Sequence, residues 1–221
     1  MLNLFFPPVC NGCYTTLVQS EKVLCAHCRH QLPLACIPKL LNPVVQKVFY
    51  GRIPVREAVS LLYFTKEGIV QQLLHNLKYR RQQQIGSFLG HWLGSLMEES
   101  DHFSSIDMII PVPLHPKKLR RRGYNQVVSF AKSLAEHTES EFIQHNLIRI
   151  KHGGTQVFRN RFKRFEDNRQ FDIVHPEVLE NKHILLVDDL VTTGATLEQC
   201  ATEILKSNNC SLSIATMAIA T

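Results

Sequence analysis

Hydrophobic residues recur with two different periods along the chain. Four consecutive aliphatic residues at 184–187 predict a strand that is buried on both faces, as in a parallel sheet covered by helices. Shorter apolar runs predict further strands over 59–64, 106–110, 147–150, 171–174 and 212–218. Apolar residues at helical spacing predict helices over 69–77, 85–97, 127–136 and 197–205. Strands that alternate with helices indicate an α/β fold.

Composition agrees with a globular α/β protein. The chain has 221 residues, of which 44% are hydrophobic, enough for one α/β domain and a small extra module. It contains no run of about 18 apolar residues, so the sequence predicts no membrane span. The start, from Met1 to Pro8, lacks the basic region of a signal peptide, and we expect a cytoplasmic protein.

The charge distribution favours an anionic partner. The net charge is +6, and basic residues cluster in two stretches, at 117–122 and at 159–169. A sugar pyrophosphate and a nucleic acid are both compatible with such clusters, so charge alone does not choose between them.

Four of the seven cysteines lie within the first 30 residues as two C-x-x-C pairs, Cys10 with Cys13 and Cys25 with Cys28. Two such turns can place four thiolates around one Zn²⁺ ion, and a closed four-thiolate shell is structural because it leaves no open coordination position. Two redox-active pairs or two disulfides are the alternatives, and a cytosolic location favours the metal. The sequence therefore predicts a small zinc ribbon.

The strand at 184–187 leads into two carboxylates, Asp188 and Asp189, and then into a hydroxyl-rich loop. Ligands of open α/β sheets bind at the carboxyl ends of strands. A loop of small residues that opens a helix offers backbone N–H groups and a positive helix end to a phosphate. Carboxylates beside a phosphate seat suit a phosphorylated sugar, because they accept hydrogen bonds from its hydroxyl groups.

Other interpretations of this stretch are weaker. Aliphatic residues followed by two acids also describe a Walker B strand, but the sequence has no G-x-x-x-x-G-K-[ST] motif upstream. It has no G-x-G-x-x-G motif either, which leaves no dinucleotide fingerprint. A purely structural strand, turn and helix remains an alternative, although buried strands rarely end in two unpaired acids.

The stretch 184–196 resembles the 5-phosphoribosyl-1-pyrophosphate (PRPP) motif of type I phosphoribosyltransferases. The resemblance implies that Asp188 and Asp189 contact the ribose hydroxyls. It also implies a doubly wound, mainly parallel sheet flanked by helices, and Mg²⁺ bound with PRPP. The residues that would wrap the 5′-phosphate are Thr192, Thr193, Gly194, Ala195 and Thr196.

A second resemblance covers nearly the whole chain. The Pro-Val-Pro at 111–113, the following basic run and the Arg-Gly-Tyr-Asn-Gln at 122–126 resemble the ComF family, as does the order of the motifs. The resemblance implies a zinc module at 1–35, a connector at 36–55 and a phosphoribosyltransferase-like domain at 56–221. It also implies a link to competence and to the use of external DNA. A glutaminase function is not expected, because the start of this sequence leaves no room for that domain.

A long polar segment, 151–170, is interpreted as a binding loop. In type I phosphoribosyltransferases a flexible hood closes over PRPP from this part of the fold, which assigns Arg161 and Arg164 to the pyrophosphate during catalysis. A solvated basic helix is the alternative. Lys78 ends a predicted helix, and we expect it either to complement that helix end or to face the pyrophosphate.

Three functions remain open at this point. The first is a Mg²⁺-dependent phosphoribosyltransferase with an unknown acceptor, such as a nucleobase or a small amine. The second is a non-catalytic DNA-processing protein that binds single-stranded DNA and uses PRPP as a regulatory ligand. The third is an adaptor whose zinc ribbon docks a partner such as a helicase.

Overall fold

A computed structural model describes residues 7–36, 40–150 and 170–220 of the 221-residue chain. The helices are α1 (Ala26–His30), α2 (Pro43–Lys47), α3 (Ile69–Tyr79), α4 (Gln84–Glu98), α5 (Pro116–Arg122), α6 (Val128–Thr138) and α7 (Ala195–Ile204). The strands are β1 (Ala58–Phe64), β2 (Met108–Pro111), β3 (Glu141–Phe142), β4 (Leu147–Arg149), β5 (Phe171–Ile173), β6 (His183–Val191) and β7 (Ser211–Ala220).

Five strands form one sheet in the order β1-β7-β6-β2-β3, and every neighbouring pair in it is parallel. The predicted α/β fold with a mainly parallel, helix-flanked sheet is therefore confirmed. The last strand in sequence, β7, inserts between β1 and β6, which places β6 in the middle of the sheet. β4 and β5 form a separate antiparallel pair.

Two hydrophobic cores cover the two faces of this sheet. Along β6 the side chains alternate, as strand geometry requires. Leu185 and Val187 join the core formed with α3, α4, α6 and the cysteine-bearing segment. Ile184 and Leu186 join the core formed with α7, β4, β5 and the residues around α2. Consecutive residues at the end of β6 therefore face different surroundings.

The cysteine-bearing segment packs directly on α3. Asn76 of α3 is 1% exposed, and its Nδ2 donates to the carbonyl oxygen of Asn11 at 3.1 Å. Its Oδ1 accepts from Gln72 at 3.1 Å, while the Tyr14 ring lies under the Arg80 guanidinium. The first cysteine turn is thus fixed to the helix that carries Lys78.

The structure also differs from the sequence expectations in several places, and it contains α1, α2 and β3, which the sequence analysis did not predict. The basic run at 116–122 forms α5, a short helix that apolar periodicity could not detect because it contains a single aliphatic residue, Leu119. β2 begins at Met108 rather than at Ile106, and it includes Pro111 as its last residue. β4 is paired with β5 alone and lies outside the main sheet. Among the described residues, no helix combines the length and the apolar composition needed to cross a bilayer.

Candidate functional site

The loop between β6 and α7 forms a small cavity at the carboxyl edge of the sheet. Its volume is about 60 Å³. The cavity is lined by Asp188, Leu190, Val191, Thr192, Thr193, Gly194, Ala195, Thr196 and Leu197. The two threonines before Gly194 and the two residues after it are exposed. The N-terminus of the ten-residue α7 adds the positive end of its dipole, so the cavity favours an anion.

Gly194 is the residue that permits the turn. Its φ is +76°, in the left-handed region that glycine adopts without strain. A Cβ atom at this position would lie 2.7 Å from Cγ1 of Val48 and 3.0 Å from the Phe49 ring. The segment before β1 therefore packs tightly against the loop.

Asp188 belongs to the cavity. It is half-buried, and one carboxylate oxygen accepts from the backbone N–H of Asp189 at 2.8 Å. Burial, together with the charge of Asp189, raises its pKa above the ordinary 3.8. On the same face, the charge of Asp188 adds to burial in raising the pKa of the Cys200 thiol on α7. The elevated pKa shows that burial disfavours the ionised carboxylate. A cation or a hydroxyl donor in the cavity would stabilise that ionised form.

Asp189 faces the opposite side of the sheet, where it is paired. It is 6% exposed. Nζ of Lys78 lies 3.0 Å from one of its oxygens, and Nε2 of Gln126 donates to the other at 2.5 Å. Gln126 in turn accepts from Arg122. The carboxylate is thus held by residues from α3 and from the loop that follows α5.

A second cavity, of about 210 Å³, adjoins this pair. We call it the basic cavity, and it is lined by Lys78, Tyr79, Arg81, Arg121, Arg122 and Tyr124. The Arg122 guanidinium lies 5.5 Å from the Tyr79 ring centroid, and the Tyr124 hydroxyl donates to the carbonyl oxygen of Leu77. Its lining combines four cations with two aromatic rings and contains no acidic residue, a composition that suits phosphate groups and planar bases.

The four N-terminal cysteines form a cluster. The Sγ atoms of Cys10, Cys13, Cys25 and Cys28 all lie within 4.8 Å of one another. Cys13 and Cys25 are 3.7 Å apart, close to the roughly 3.8 Å that tetrahedral Zn–S bonds of about 2.3 Å require. The Cys10 sulfur accepts from the N–H groups of Gly12 and Cys25, at 3.4 and 3.3 Å. These donors stabilise a thiolate, so the donor set fits a structural zinc ion.

The structure divides the described site residues between the two faces of β6. Asp188 and 192–196 surround one cavity, while Lys78 reaches Asp189 on the other face of β6. Arg161 and Arg164 lie outside the described residues. Sequence reasoning missed Gln126 and Arg52 as neighbours of the site. Gln126 had a signal, since it ends the Arg-Gly-Tyr-Asn-Gln motif, whereas Arg52 had none because it lies in a segment without a recognisable pattern.

The fold and the cysteine cluster define a parallel α/β protein with an N-terminal cysteine module of the kind that binds zinc. No protein-family model matches the chain. Among solved structures, it is similar to the glutamine PRPP amidotransferase of B. subtilis, with 18% identity over 64% of this chain and 30% of that one, at a TM-score of 0.45.

Proteins related in sequence give a more specific comparison than the solved structures do. The chain is 29% identical to the DNA utilization protein YhgH of Escherichia coli O157:H7 over 61% of its own length and 60% of that relative. It is 25% identical to the competence protein ComFC of Bacillus subtilis over 84% of its own length and 79% of that protein. The chain is thus a homologue of these proteins, and the resemblance to the ComF family is confirmed.

Proposed function

We propose that the chain binds PRPP with Mg²⁺ and transfers its phosphoribosyl group to an acceptor, with release of pyrophosphate. The observation that carries this proposal is the cavity at the carboxyl edge of β6, where Asp188 meets the hydroxyl-rich loop and the N-terminus of α7. The names of the relatives support a role in DNA utilization and competence.

In the proposed binding mode, the loop and the aspartates at the carboxyl edge of the sheet bind different parts of PRPP. The loop 192–196 binds the 5′-phosphate through backbone N–H groups and threonine hydroxyls. Asp188 accepts hydrogen bonds from the ribose hydroxyls, and Asp189 joins it when the pyrophosphate draws Lys78 away from that carboxylate. Anchoring the phosphate at one end lets its binding energy position the ribose C1 atom for reaction at the other.

Pyrophosphate leaves as the bond from C1 breaks, and negative charge develops on the departing group. The basic cavity supplies Lys78, Arg81, Arg121 and Arg122 close to Asp189, and cations fixed in advance stabilise such charge. Arg161 and Arg164 are proposed to add to this charge. The incoming nucleophile bonds to C1 and loses its proton, so the acceptor is a group with a transferable hydrogen.

Mg²⁺ fits the oxygen donors at this edge. It binds through one or two carboxylates together with substrate phosphates and keeps several waters. Asp188 offers a half-buried carboxylate with a raised pKa beside the cavity, which a nearby cation would ionise. When bound, Mg²⁺ neutralises pyrophosphate oxygens.

Isothermal titration calorimetry with Mg²⁺ and PRPP tests the proposal. Wild type should bind, and Asp188→Asn combined with Asp189→Asn should lose binding while retaining the circular dichroism spectrum of the fold. Asp101→Asn with Glu177→Gln is a charge-matched control, because both of these acids are exposed side chains. Equal affinity in the wild type and in the double aspartate variant would refute the site.

We further propose that the four-cysteine cluster holds one structural Zn²⁺ ion. Cys25→Ser should lower the metal content, measured by mass spectrometry, from one ion per chain to none, because three thiolates bind far less tightly than four. Cys36→Ser is the matched control, since that thiol is 3% exposed and lies outside the cluster. Full zinc content in the Cys25 variant would contradict the four-thiolate site.

A second candidate function, single-stranded DNA binding, is favoured by the basic cavity. Exposed Tyr79 and the cations around it can stack a base and contact phosphates. Binding of oligothymidylate should weaken steeply with salt, and Arg121→Gln with Arg122→Gln should reduce the salt slope by about 1.4. Salt-independent binding, or an unchanged slope, would remove this candidate.

A further inference from the structure

The segment that precedes β1 contacts the outer side of the phosphate loop. Nη1 of Arg52 donates to the carbonyl oxygen of Thr193 at 2.5 Å and to that of Val48 at 3.0 Å. Its other terminal nitrogen pairs with Glu198. Arg52 does not line the cavity at the end of β6. It therefore reaches the loop from behind, across 141 residues of sequence.

The contact between Arg52 and the Thr193 carbonyl also fixes the orientation of the peptide group that joins Thr193 to Gly194. In a trans peptide the carbonyl and the following N–H point in opposite directions. Because Arg52 holds the Thr193 carbonyl on the outer side, the N–H of Gly194 is directed away from Arg52. Because 192–196 line the cavity and Arg52 does not, this orientation favours an N–H that faces the cavity. The guanidinium also lies 3.4 Å from the position of a Gly194 Cβ, so it packs against the turn itself.

The ion pair adds an electrostatic effect. Glu198 lies in the first turn of α7, beside a cavity that is suited to an anion. An unpaired carboxylate here would repel a phosphate and offset part of the benefit of the helix dipole. Arg52 neutralises it, and the two side chains are similarly exposed, at 35% and 34%.

We propose that Arg52 is a positioning residue of the phosphate seat, which holds the Thr193 carbonyl outward and neutralises Glu198 so that the loop can bind a sugar 5-phosphate. This inference rests on the proposed PRPP site and adds a residue from outside its motif. The ligand class is a phosphomonoester on a sugar, and the contact is to its 5-phosphate end rather than to pyrophosphate.

Calorimetric titration with ribose 5-phosphate, PRPP and free pyrophosphate tests the inference. Arg52→Met should weaken ribose 5-phosphate and PRPP by about tenfold, the scale of one charge-assisted hydrogen bond. Pyrophosphate affinity should stay unchanged. Arg52→Lys should recover part of the loss, because an ammonium can still donate to Thr193. Arg56→Met is the matched control, since Arg56 contacts His183 at the other end of β6, and it should bind all three ligands as wild type does.

The outcomes separate this inference from the proposed function. Wild-type affinity for ribose 5-phosphate in Arg52→Met would overturn the role of Arg52 and leave the PRPP site standing. An equal loss for pyrophosphate would indicate general damage and would also overturn it. If wild type binds neither sugar phosphate, both proposals fail.

A second variant keeps the inference testable should Arg52→Met not fold. Glu198→Gln keeps the bond from Arg52 to Thr193 and removes the negative charge near the seat. It should tighten ribose 5-phosphate by about two- to fivefold at low salt. Unchanged or weaker affinity would overturn the electrostatic part of the inference.

Discussion

Asp188 and Asp189 are adjacent in sequence, yet the structure places them in two different environments. Asp188 opens onto the cavity between β6 and α7 and has no cationic partner within hydrogen-bonding distance among the described residues. Asp189 is 6% exposed and paired with Lys78 and Gln126 on the opposite face. Strand geometry alone separates the two carboxylates.

The difference assigns separate tasks to the two acids. In the proposed function Asp188 receives the ligand, because a cation or a hydroxyl donor would offset the cost of burying its ionised form. Asp189 is already paired with Lys78, which connects the end of β6 to the basic cavity. An anion in that cavity would compete with Asp189 for Lys78.

The largest effect is expected from removing Asp189, with the removal of Asp188 as the comparison. Asp189→Ala leaves Lys78 without its partner and should lower the free energy of unfolding by about 3 kcal/mol, at the lower limit for a buried pair because Lys78 is partly exposed. Asp188→Ala should not lower the free energy of unfolding, because Asp188 has no ion pair to lose. Urea denaturation of both variants measures this contrast, and equal losses would remove the distinction between the two faces.

Gly194→Ala changes only the loop around the cavity that contains Asp188. A left-handed φ and a contact of 2.7 Å with Val48 should together cost about 2 kcal/mol of stability. PRPP affinity should fall, because the loop must shift. Gly123 is a matched control with φ +83° and no atom near its Cβ position, so Gly123→Ala tests strain without the packing. Similar PRPP affinities in the two variants would argue against a tightly packed phosphate seat.

These contrasts also show how much the sequence could reveal. The strand, the loop and the four cysteines are encoded by short stretches, since apolar runs, hydroxyl-rich turns and C-x-x-C spacing act locally. The strand order is not local, because β7 inserts between β1 and β6. The residues that contact the site also come from distant parts of the sequence. Gln126 meets Asp189 from 63 residues away, and Arg52 meets Thr193 from 141. Such contacts depend on the folded topology, which periodicity does not specify.

Gln126→Ala perturbs the Asp189 side more gently. It removes one hydrogen bond to a carboxylate that retains Lys78, so we expect a loss of about 1 kcal/mol in urea denaturation. Gln84→Ala, an exposed glutamine on α4, is the control. A loss as large as that of Asp189→Ala would mean that Gln126, rather than Lys78, holds the carboxylate.

The smallest effect concerns pH. A raised pKa means that the folded protein retains a proton on Asp188 more tightly than the unfolded chain does. The associated stabilisation is full below the ordinary pKa of 3.8 and is lost as pH rises through the folded-state pKa. Between pH 3.8 and about 8, wild type should therefore lose stability relative to Asp188→Asn, as measured by thermal unfolding. A difference that does not vary with pH would show that the Asp188 carboxyl is not perturbed.

A crystal structure of the chain grown with Mg²⁺ and PRPP would test the central claim most directly. The account predicts the 5-phosphate within 192–196, the ribose hydroxyls at Asp188 and Asp189, and the pyrophosphate directed toward the basic cavity. A 5-phosphate bound in the basic cavity, with the loop between β6 and α7 empty, would contradict it.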